Sequence, residues 1–240
     1  MPFLFSWLKS LGAVAALALM TGCATGPDAN PRDPFEPFNR GVSSFNEAVD
    51  EAVLKPVATA YVEVAPSPVR TGVSNFFSNL TDLWSAANAV FQLRPQEAGE
   101  NLMRFSVNTV LGLGGVLDIA SEMQIPRTRI DFGQTLGRWG APPGPYLVLP
   151  LLGPSTVRDT AGIVVDAQAD PLGDVDRVAN RNALTGLRVV DTRANLLGAT
   201  TVLEGAALDK YSFTRDLYLN RRQSQIDRMI DKGIGLGDGE

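Results

Sequence analysis

The sequence contains no histidine, and Cys23 is its only cysteine. Hydrolases that use histidine to activate serine or cysteine are therefore excluded, as are zinc sites made of histidine or cysteine and disulfides within the chain. Basic residues are also scarce, because 21 lysines and arginines stand against 26 acidic residues and give a net charge of −5. Nucleic-acid-binding proteins usually carry a basic surplus, so this composition argues against that class.

The rest of the composition is that of an ordinary folded protein. Of the 240 residues, 45% are hydrophobic and 20% are charged, which disfavours both intrinsic disorder and a membrane protein with several spans. The length is sufficient for a sizeable core. The sequence also lacks the G-x-x-x-x-G-K-[ST] loop that binds nucleotide phosphates, so the chain is not its own ATPase.

The first 23 residues have the pattern of an exported lipoprotein. Residues 11–20 are uncharged, and a helix of that length covers only about half of the hydrocarbon thickness of a bilayer. Lys9 precedes this stretch, as a basic residue does in a secretory signal. The residues from Met20 to Cys23 resemble the lipobox at which bacterial lipoproteins are cleaved and acylated.

We therefore predict a signal peptide over residues 1–22, acylation of Cys23 and a polar tether over residues 23–33. Ala24 follows the cysteine where aspartate would favour retention at the inner membrane, so lipoprotein sorting points by analogy to the outer membrane. Several acyl chains give stable anchoring. An ordinary or uncleaved signal with an incidental cysteine is the alternative.

Apolar residues recur at intervals of three and four between Phe76 and Phe91, which predicts an amphipathic helix. A lipid-anchored protein lies against a membrane, so this stripe is a candidate for lipid contact; packing in the protein core is the alternative. The candidate lipid-contacting residues are Phe76, Phe77, Leu80, Leu83, Trp84 and Phe91.

Further helices are predicted along the rest of the chain, many of them opened by proline. A helix over residues 97–111 is apolar around most of its circumference, so it is either buried or faces lipid. No proline follows Pro171, and the two longest helices are expected there. The remaining predicted helices span residues 34–53, 56–64, 66–78, 182–209 and 213–232, the last with Ser212 as its N-cap. Together these predict one helical domain over 34–232 and a disordered tail over 233–240.

The segment from residue 140 to 154 differs, because five of the sixteen prolines lie between Pro142 and Pro154. We predict an extended apolar loop rather than a strand, since Pro150 would interrupt residues 146–149 and proline is excluded from the middle of a sheet. Glycines would allow this loop to turn, so it is a candidate gate or pore lip. Its candidate residues are Gly140, Gly144, Pro145, Tyr146 and Gly153.

Residues 112–115, with the sequence GLGG, superficially resemble a dinucleotide-binding loop. The third glycine of that fingerprint is missing, and the preceding residues have a helical pattern rather than that of a strand. A bend between two helices explains the segment better. Gly112, Gly114 and Gly115 are therefore a candidate hinge.

Three carboxylate pairs, Asp33/Glu36, Asp166/Asp170 and Asp174/Asp176, lack the number and spacing of oxygen ligands that a calcium loop requires. They are expected on solvated or helix-capping faces. Ser155 is likewise expected to be the N-cap of a helix that begins near residue 156. No metal site and no cofactor are predicted.

Several stretches in order along the chain resemble the MlaA (VacJ) family of outer-membrane lipoproteins. The resemblance covers about residues 33 to 222, which is most of the predicted mature chain. The matching stretches are DPFEPFNR from Asp33, PVRTGVSNFFSNL from Pro68, RFSVNTVLGLGGVLDIA from Arg104, DFGQTLGRWG from Asp131, GPYLVLPLLGPSTVRDTAG from Gly144, TRANLL from Thr192 and YSFTRDLYLNRR from Tyr211.

The resemblance implies an all-α, compact, ring-like arrangement of helices in the periplasmic leaflet of the outer membrane. It implies association with a trimeric porin, removal of phospholipid from the outer leaflet and transfer to a soluble periplasmic carrier for retrograde transport. Such a protein maintains lipid asymmetry and is not an enzyme. The alternatives are a lipoprotein that only braces a porin or the envelope, and a lipid hydrolase that uses carboxylates.

Overall fold

The computed structural model describes residues 30–206 and 209–234. The predicted signal peptide, Cys23, most of the predicted tether and residues 235–240 of the predicted tail lie outside this part of the chain. Residues 233 and 234, predicted to belong to the tail, continue the last helix.

The described residues form α-helices joined by short turns, with one two-stranded hairpin. The helices are α1 (Glu36–Val49), α2 (Lys55–Val64), α3 (Ser67–Phe91), α4 (Pro95–Val110), α5 (Ile119–Glu122), α6 (Phe132–Arg138), α7 (Val157–Gln168), α8 (Val178–Ala206) and α9 (Lys210–Ile234). A π-helical turn (Asp50–Leu54) joins α1 to α2, and a 3-10 turn (Pro171–Asp174) precedes α8. The strands are β1 (Tyr146–Leu149) and β2 (Gly153–Thr156). The predominantly helical fold class is therefore confirmed.

Proline sets the start of four of these helices. It occupies the first or second position of α1, α2, α3 and α4, where the missing N–H costs no helical hydrogen bond. The prediction of separate helices over residues 66–78 and 76–91 is wrong, because α3 runs through both as one helix of 25 residues. Ser212 is not an N-cap either: α9 begins earlier, and the Asp209 carboxylate accepts from the backbone N–H of Tyr211 at 3.1 Å.

The proline-rich segment forms a β-hairpin, so the prediction of an extended loop without a strand is wrong. β1 and β2 are antiparallel, with Tyr146 opposite Thr156 and Leu149 opposite Gly153. Both strands are edge strands and Pro150 lies in the turn, which is where proline is tolerated. The expected cap is also displaced by one residue: Thr156 Oγ1 accepts from Asp159 N at 3.1 Å, whereas Ser155 is buried in β2.

Two asparagines of α1 fix β1 through their side-chain amides. Asn39 donates to the Tyr146 carbonyl at 3.0 Å and accepts from Val148 N at 2.9 Å. Further along the same face of α1, Asn46 donates to the Leu149 carbonyl at 2.9 Å and accepts from Leu151 N at 2.7 Å. Each amide replaces the partners that a neighbouring strand would provide. The hairpin is therefore attached to α1 along its exposed edge.

The start of the described chain is tied to α9 and α1 through Asp33. Asp33 is buried, accepts from the Tyr211 hydroxyl at 2.5 Å and from Asn39 at 2.8 Å, and pairs with Arg215 at 3.3 Å. Burial and the hydrogen bond to Asp33 raise the pKa of Tyr211. The expectation of a solvated or capping carboxylate is wrong for Asp33, because this carboxylate joins the N-terminal segment to α9.

Candidate functional site

The interface between α3 and α4 is built from polar side chains that are almost completely buried. On α3 they recur every three residues and so spread over about half of its circumference, whereas on α4 they lie three and four residues apart on one face. We call this set the polar seam; its members are Asn79, Asp82, Ser85 and Asn88 of α3, Gln92 directly after α3, and Asn101, Arg104 and Asn108 of α4.

Hydrogen bonds satisfy much of the polar seam. Asn79 donates to Thr109 Oγ1 at 2.9 Å, Asn108 accepts from Ala120 N at 2.8 Å, and Asn88 accepts from the Thr135 hydroxyl at 2.7 Å. Within the described residues, three buried amide oxygens have no hydrogen-bond partner: Asn79 Oδ1, Gln92 Oε1 and Asn101 Oδ1. Buried polar atoms are usually paired, so these three acceptors lie where an additional donor would be stabilised.

Arg104 lies at the centre of the polar seam. Its guanidinium donates to Asp118 at 2.7 Å, to the Ile125 carbonyl at 2.5 Å and to Asp82 at 3.4 Å. Burial raises the pKa of Asp82, and the positive charges of Arg127 and Arg104 only partly oppose this effect. The seam thus holds a buried carboxylate in place by surrounding it with cations.

The outward faces of the same helices expose several large apolar side chains. Leu102 and Met103 are about half exposed on α4, and Val110 is 77% exposed at its end. On α3, Val90 is 59% exposed. Water-soluble helices place their apolar stripe inside, so the polarity of this pair is inverted. Exposed apolar surface of this kind marks contact with a membrane or a partner.

Three exposed leucines lie at turns with a left-handed backbone. Their φ angles are +56° at Leu93, +55° at Leu113 and +63° at Leu151, and their exposed fractions are 88%, 74% and 63%. We call them the leucine tips. Leucine is uncommon in this conformation, where glycine or asparagine is favoured. The apolar side chain is thus retained at a conformational cost.

A cavity of about 590 Å³, here called the main cavity, lies beside the polar seam. Its volume falls within the range of roughly 300–1,000 Å³ that is usual for ligand sites. One part of the lining is apolar and another carries charges of both signs. The apolar part includes Leu80, Trp84, Ile130, Ile163, Ala167 and Pro171, and the polar part includes Arg129, Asp131, Gln134, Asp166, Asp170, Arg188, Arg221 and Arg222. The cavity is therefore amphipathic.

Arg222 of α9 fixes one wall of the main cavity. It binds both oxygens of Asp131 at 2.6 Å and contacts Asp159 at 3.0 and 3.1 Å. Burial opposes ionisation of Asp159, but hydrogen bonds and charge from Arg222, with help from Arg158 and Tyr218, outweigh it and hold its pKa below the ordinary value. Asp159 is therefore ionised, and Arg222 holds both carboxylates in place.

Asp166 also lines the main cavity, and its pKa is shifted in the opposite direction to that of Asp159. Its Oδ1 accepts from Trp84 Nε1 at 2.7 Å and from Phe132 N at 2.9 Å. Burial raises its pKa, the two hydrogen bonds oppose that effect, and the neighbouring Asp131 adds to it. Asp170, the other member of this sequence pair, caps the 3-10 turn by accepting from Leu172 N at 3.1 Å, as expected for a capping carboxylate.

The predicted lipid-contacting stripe is divided among three environments. Leu80 and Trp84 line the main cavity. Phe76 and Phe77 line a separate apolar groove of about 460 Å³ between α3 and α8, although Phe77 itself is only 7% exposed. Leu83 and Phe91 lie on the open outer surface. The stripe is therefore not one continuous contact face.

The candidate gate residues are held in definite conformations. Gly140, Gly144 and Gly153 have φ angles of +92°, +67° and +80°, which few other residues adopt. Tyr146 is 1% exposed and packs edge-on against Tyr211, and burial raises its pKa to about 12. Pro145 accepts from Val157 N at 3.2 Å. These contacts describe a fixed hairpin, and motion of this segment as a gate stays a prediction.

The candidate hinge glycines lie in a closely packed turn between α4 and α5. A Cβ atom at Gly112 would come within 2.4 Å of the Asn108 carbonyl, and one at Gly115 would come within 2.6 Å of the Asn79 side chain. Gly114 has open space around it and a φ of +75°. Close packing therefore explains two of these glycines, and motion about this turn stays a prediction.

Within residues 30–206 and 209–234, no three histidine, cysteine, aspartate or glutamate side chains are grouped so that they could hold a metal ion. In the same part of the chain, no helix combines the length and apolar character that a membrane crossing requires.

The polar seam was missed by reasoning from the sequence. The polar residues of α3 recur every three residues from Asn79 to Asn88, so the sequence contained the signal. Periodicity identifies the faces of a helix, but the identity of the inner one follows only if the surroundings are known. The prediction that the apolar stripe contacts lipid or the core left the burial of these polar residues unrecognised.

Comparison with known proteins identifies the family of this chain. The model of the family described as MlaA lipoprotein matches residues 31–225. The chain is 36% identical over 209 residues to the intermembrane phospholipid transport system lipoprotein MlaA of Shigella flexneri, covering 85% of this chain and 82% of the relative. It is 34% identical over 240 residues to the protein of that name from Haemophilus influenzae, covering 95% of each.

A solved structure from work on the structural basis for maintenance of bacterial outer membrane lipid asymmetry has the same fold. It superposes with a TM-score of 0.71 at 34% sequence identity, covering 81% of this chain and 98% of the other. The family match extends over most of the described residues, including the polar seam and the main cavity. The chain thus belongs to the MlaA lipoprotein family.

Proposed function

We propose that this protein removes phospholipid from the outer leaflet of the outer membrane and delivers it for retrograde transport, which maintains the lipid asymmetry of that membrane. The observation that carries the proposal is the inverted polarity of α3 and α4 next to an amphipathic cavity. Apolar outer faces suit surroundings of lipid chains, and a polar interior gives a headgroup hydrogen-bonding partners. The relatives named above as phospholipid transport lipoproteins support the same function.

The energetic need for such a protein follows from the chemistry of its substrate. At roughly 0.8 kcal/mol per methylene, exposing about thirty chain carbons to water costs on the order of 20 kcal/mol. A transporter must cover the chains while the headgroup moves through a polar path. The main cavity offers both kinds of surface, with Trp84 and Ile163 on one part and Arg222 with Asp131 on another.

Direction must come from partners, because the sequence has no P-loop for nucleotide hydrolysis. We propose a trimeric porin as the partner within the membrane and a soluble periplasmic carrier as the acceptor of phospholipid.

Acylation of Cys23 would hold the protein at the periplasmic side of the outer membrane. A Cys23→Ala variant should then fail to fractionate with the outer membrane, and normal fractionation would show that the anchor is dispensable.

Blocking the main cavity tests the transport function directly. Ala167 lines the cavity from α7, so Ala167→Trp should fill part of it. Ala161 is exposed on the same helix but does not line the cavity, which makes Ala161→Trp the matched control. In a strain that lacks the gene, phospholipid accessible to added phospholipase at the cell surface should rise. The wild type and Ala161→Trp should reverse this rise, and Ala167→Trp should not.

The same assay separates the alternatives. A lipoprotein that only braces a porin or the envelope would leave surface phospholipid unchanged in the deletion strain, which would refute the transport proposal. A lipid hydrolase would release lysophospholipid from vesicles incubated with the purified protein. We propose that the chain has no catalytic activity, so no lysophospholipid should be formed.

A gate role for the hairpin is part of the proposal. Proline at Gly140 or Gly144 would be a poor test, because their positive φ angles are incompatible with proline and the hairpin would be damaged in any case. Cross-linking is sharper: Asn46 and Leu151 are hydrogen-bonded, so cysteines at both positions should tie the hairpin to α1. Oxidation should stop phospholipid clearance and reduction restore it, and the reduced double variant is the reference for the effect of losing the Asn46 amide. Clearance by the oxidised protein would refute the gate.

A further inference from the structure

We infer that a second cavity, lined by four arginines, binds the phosphate group of a phospholipid headgroup. This inference rests on the proposed function for the identity of the lipid, whereas the phosphate chemistry follows from the cavity itself. The cavity has a volume of about 460 Å³ and lies where the residues after α3, the segment before α6 and the last turns of α9 meet. We call it the arginine cavity; it is lined by Arg94, Arg127, Arg129 and Arg228 with Thr128 and Gln225.

The positive charge of this cavity is only partly compensated. Arg127 pairs with Asp82 at 3.1 Å and with Asp118 at 3.4 Å. In the described ranges, by contrast, the hydrogen bonds of Arg129 and Arg228 go to neutral oxygens. Arg129 donates to Ser78 Oγ at 2.9 Å, and Arg228 donates to the Ser224 carbonyl at 3.1 Å. Two guanidinium charges at the cavity therefore have no carboxylate partner among these residues.

Arg94 provides an independent sign of a missing ligand. It is only 5% exposed, its Nη2 donates to Glu97, and its Nη1 is buried with no hydrogen-bond partner in the part of the chain described. An unpaired donor on a buried cation is costly. Burial lowers the pKa of Arg94, with a smaller effect of the nearby charge of Arg138, although Glu97 and Glu100 oppose them.

An anion with several acceptor oxygens would correct both deficits at once. Guanidinium groups bind phosphate oxygens in pairs, and arginine is favoured where phosphate is recognised. A carboxylate ligand offers only two oxygens and would leave more of the donors that line the cavity unpaired. A phosphate ester therefore fits the number of donors better than a carboxylate does.

The position of the arginine cavity identifies the phosphate as that of a lipid. Arg129 and Gln225 line both this cavity and the main cavity, so the two spaces adjoin. A phospholipid with its phosphate at Arg129 and Arg228 would have the apolar lining of the main cavity within reach for its chains. Free phosphate would use only the first of these spaces.

Calorimetric titration of the purified full-length protein in detergent tests the inference. The probes are inorganic phosphate, glycerophosphoglycerol as a soluble headgroup ester and, once the detergent has been removed, nanodiscs of a phosphate-free glycolipid that contain phosphatidylglycerol or, as the chain-only comparison, diacylglycerol. The main variants are Arg228→Gln and Arg129→Gln/Arg228→Gln, chosen because both side chains are exposed and their loss should not impair folding. Arg177→Gln, an exposed arginine away from both cavities, is the matched control.

The headgroup ester should bind the wild type and the Arg177→Gln control with the same affinity. The same equality between the two proteins should hold for the phosphatidylglycerol nanodiscs. Each arginine removed should weaken binding about tenfold, as expected for loss of one charge-assisted contact. Diacylglycerol nanodiscs should show no dependence on these arginines.

Absence of ester binding to the wild type, or equal binding by the double variant, would overturn the inference. If inorganic phosphate alone depends on Arg228 and the nanodiscs do not, the cavity takes a free anion and the lipid assignment is wrong. The transport assay is independent: clearance of surface phospholipid without arginine-dependent binding would refute only this inference. Arginine-dependent binding without any clearance by the wild-type gene would refute the proposed function instead.

Discussion

Arg104 and Asp82 face each other across the interface of α3 and α4, 3.4 Å apart, and the side chains are 1% and 0% exposed. A pair buried this deeply contributes little net stability compared with apolar residues of the same volume. The pair instead restricts how α3 and α4 can pack, because each buried charge must keep its partner. Specific pairs of side chains thus determine the packing of this polar interior, whereas complementary shape determines the packing of an apolar one.

The cost of breaking this pair should be large and non-additive. Arg104→Met leaves Asp82 buried with only Arg127 as a counter-ion, and we expect a loss of about 3–5 kcal/mol in the free energy of unfolding. Asp82→Leu added to Arg104→Met should recover part of that loss, since no uncompensated charge remains. Denaturant unfolding of both single variants and the double variant in detergent measures the coupling. Additive losses would show that the pair does not act as a unit.

Asp159 predicts a specific dependence of stability on acid. Its folded pKa lies below the unfolded value of about 3.9, so its stabilising contribution is present above that value and is lost as the pH falls towards the folded pKa. Asp159→Asn should lower the free energy of unfolding by about 3–5 kcal/mol at pH 7, because Arg222 loses a buried partner. The same substitution should also reduce the fall in the free energy of unfolding below pH 4.

Unfolding curves between pH 7 and pH 3 measure both effects. Asp174→Asn is the matched control, because Asp174 is exposed in the 3-10 turn and should leave stability and its slope unchanged. If the wild type and Asp159→Asn lose stability in parallel on acidification, the pairing of Asp159 with Arg222 does not govern the loss of stability in acid.

Asp166 should behave in the opposite way. Its folded pKa is raised, so the ionised carboxylate is destabilising at neutral pH and the penalty disappears as the pH falls through the folded pKa towards the unfolded value. Asp166→Asn retains an oxygen to accept from Trp84 and Phe132. The variant should therefore be at least as stable as the wild type at pH 7, with the difference vanishing near pH 4. Lower stability of the variant at pH 7 would show that its charge is needed.

Reading of the sequence predicted the helices well, because their boundaries depend on local chemistry. Prolines in the first turns of α1 to α4 mark these starts, and the absence of proline after Pro171 marks the long helices α8 and α9. The hairpin was missed for a non-local reason. Its first strand is completed by Asn39 and Asn46, which lie more than a hundred residues earlier.

The candidate site was harder to predict than the fold. The main cavity combines residues of α3, α7 and α9 with the segment before α6, and no single stretch of sequence contains its charge pattern. Arg222 is part of a stretch that supports the family resemblance, but its bidentate contact with Asp131 spans 91 residues. Contacts of that kind follow from tertiary packing, which periodicity and composition do not encode.

The leucine tips give the sharpest test that the outer surface faces lipid. Asparagine adopts the left-handed conformation more readily than leucine, so changing Leu93, Leu113 and Leu151 to asparagine should preserve or raise stability. The same change removes apolar side chains whose burial is worth roughly 1.5 kcal/mol or more each, so vesicle binding of the unacylated protein should fall more than tenfold. Flotation with phospholipid vesicles and thermal unfolding measure the two effects separately.

Gln124 supplies the matched control for these leucines. It has a φ of +57° and is exposed like the leucine tips, but it is already polar. Gln124→Asn should therefore reproduce any gain in stability from relief of the backbone and leave vesicle binding unchanged. If the triple variant binds vesicles as well as the wild type, no membrane contact offsets the conformational cost of leucine at these turns. The outer faces of α3 and α4 would then have to be assigned to a protein partner.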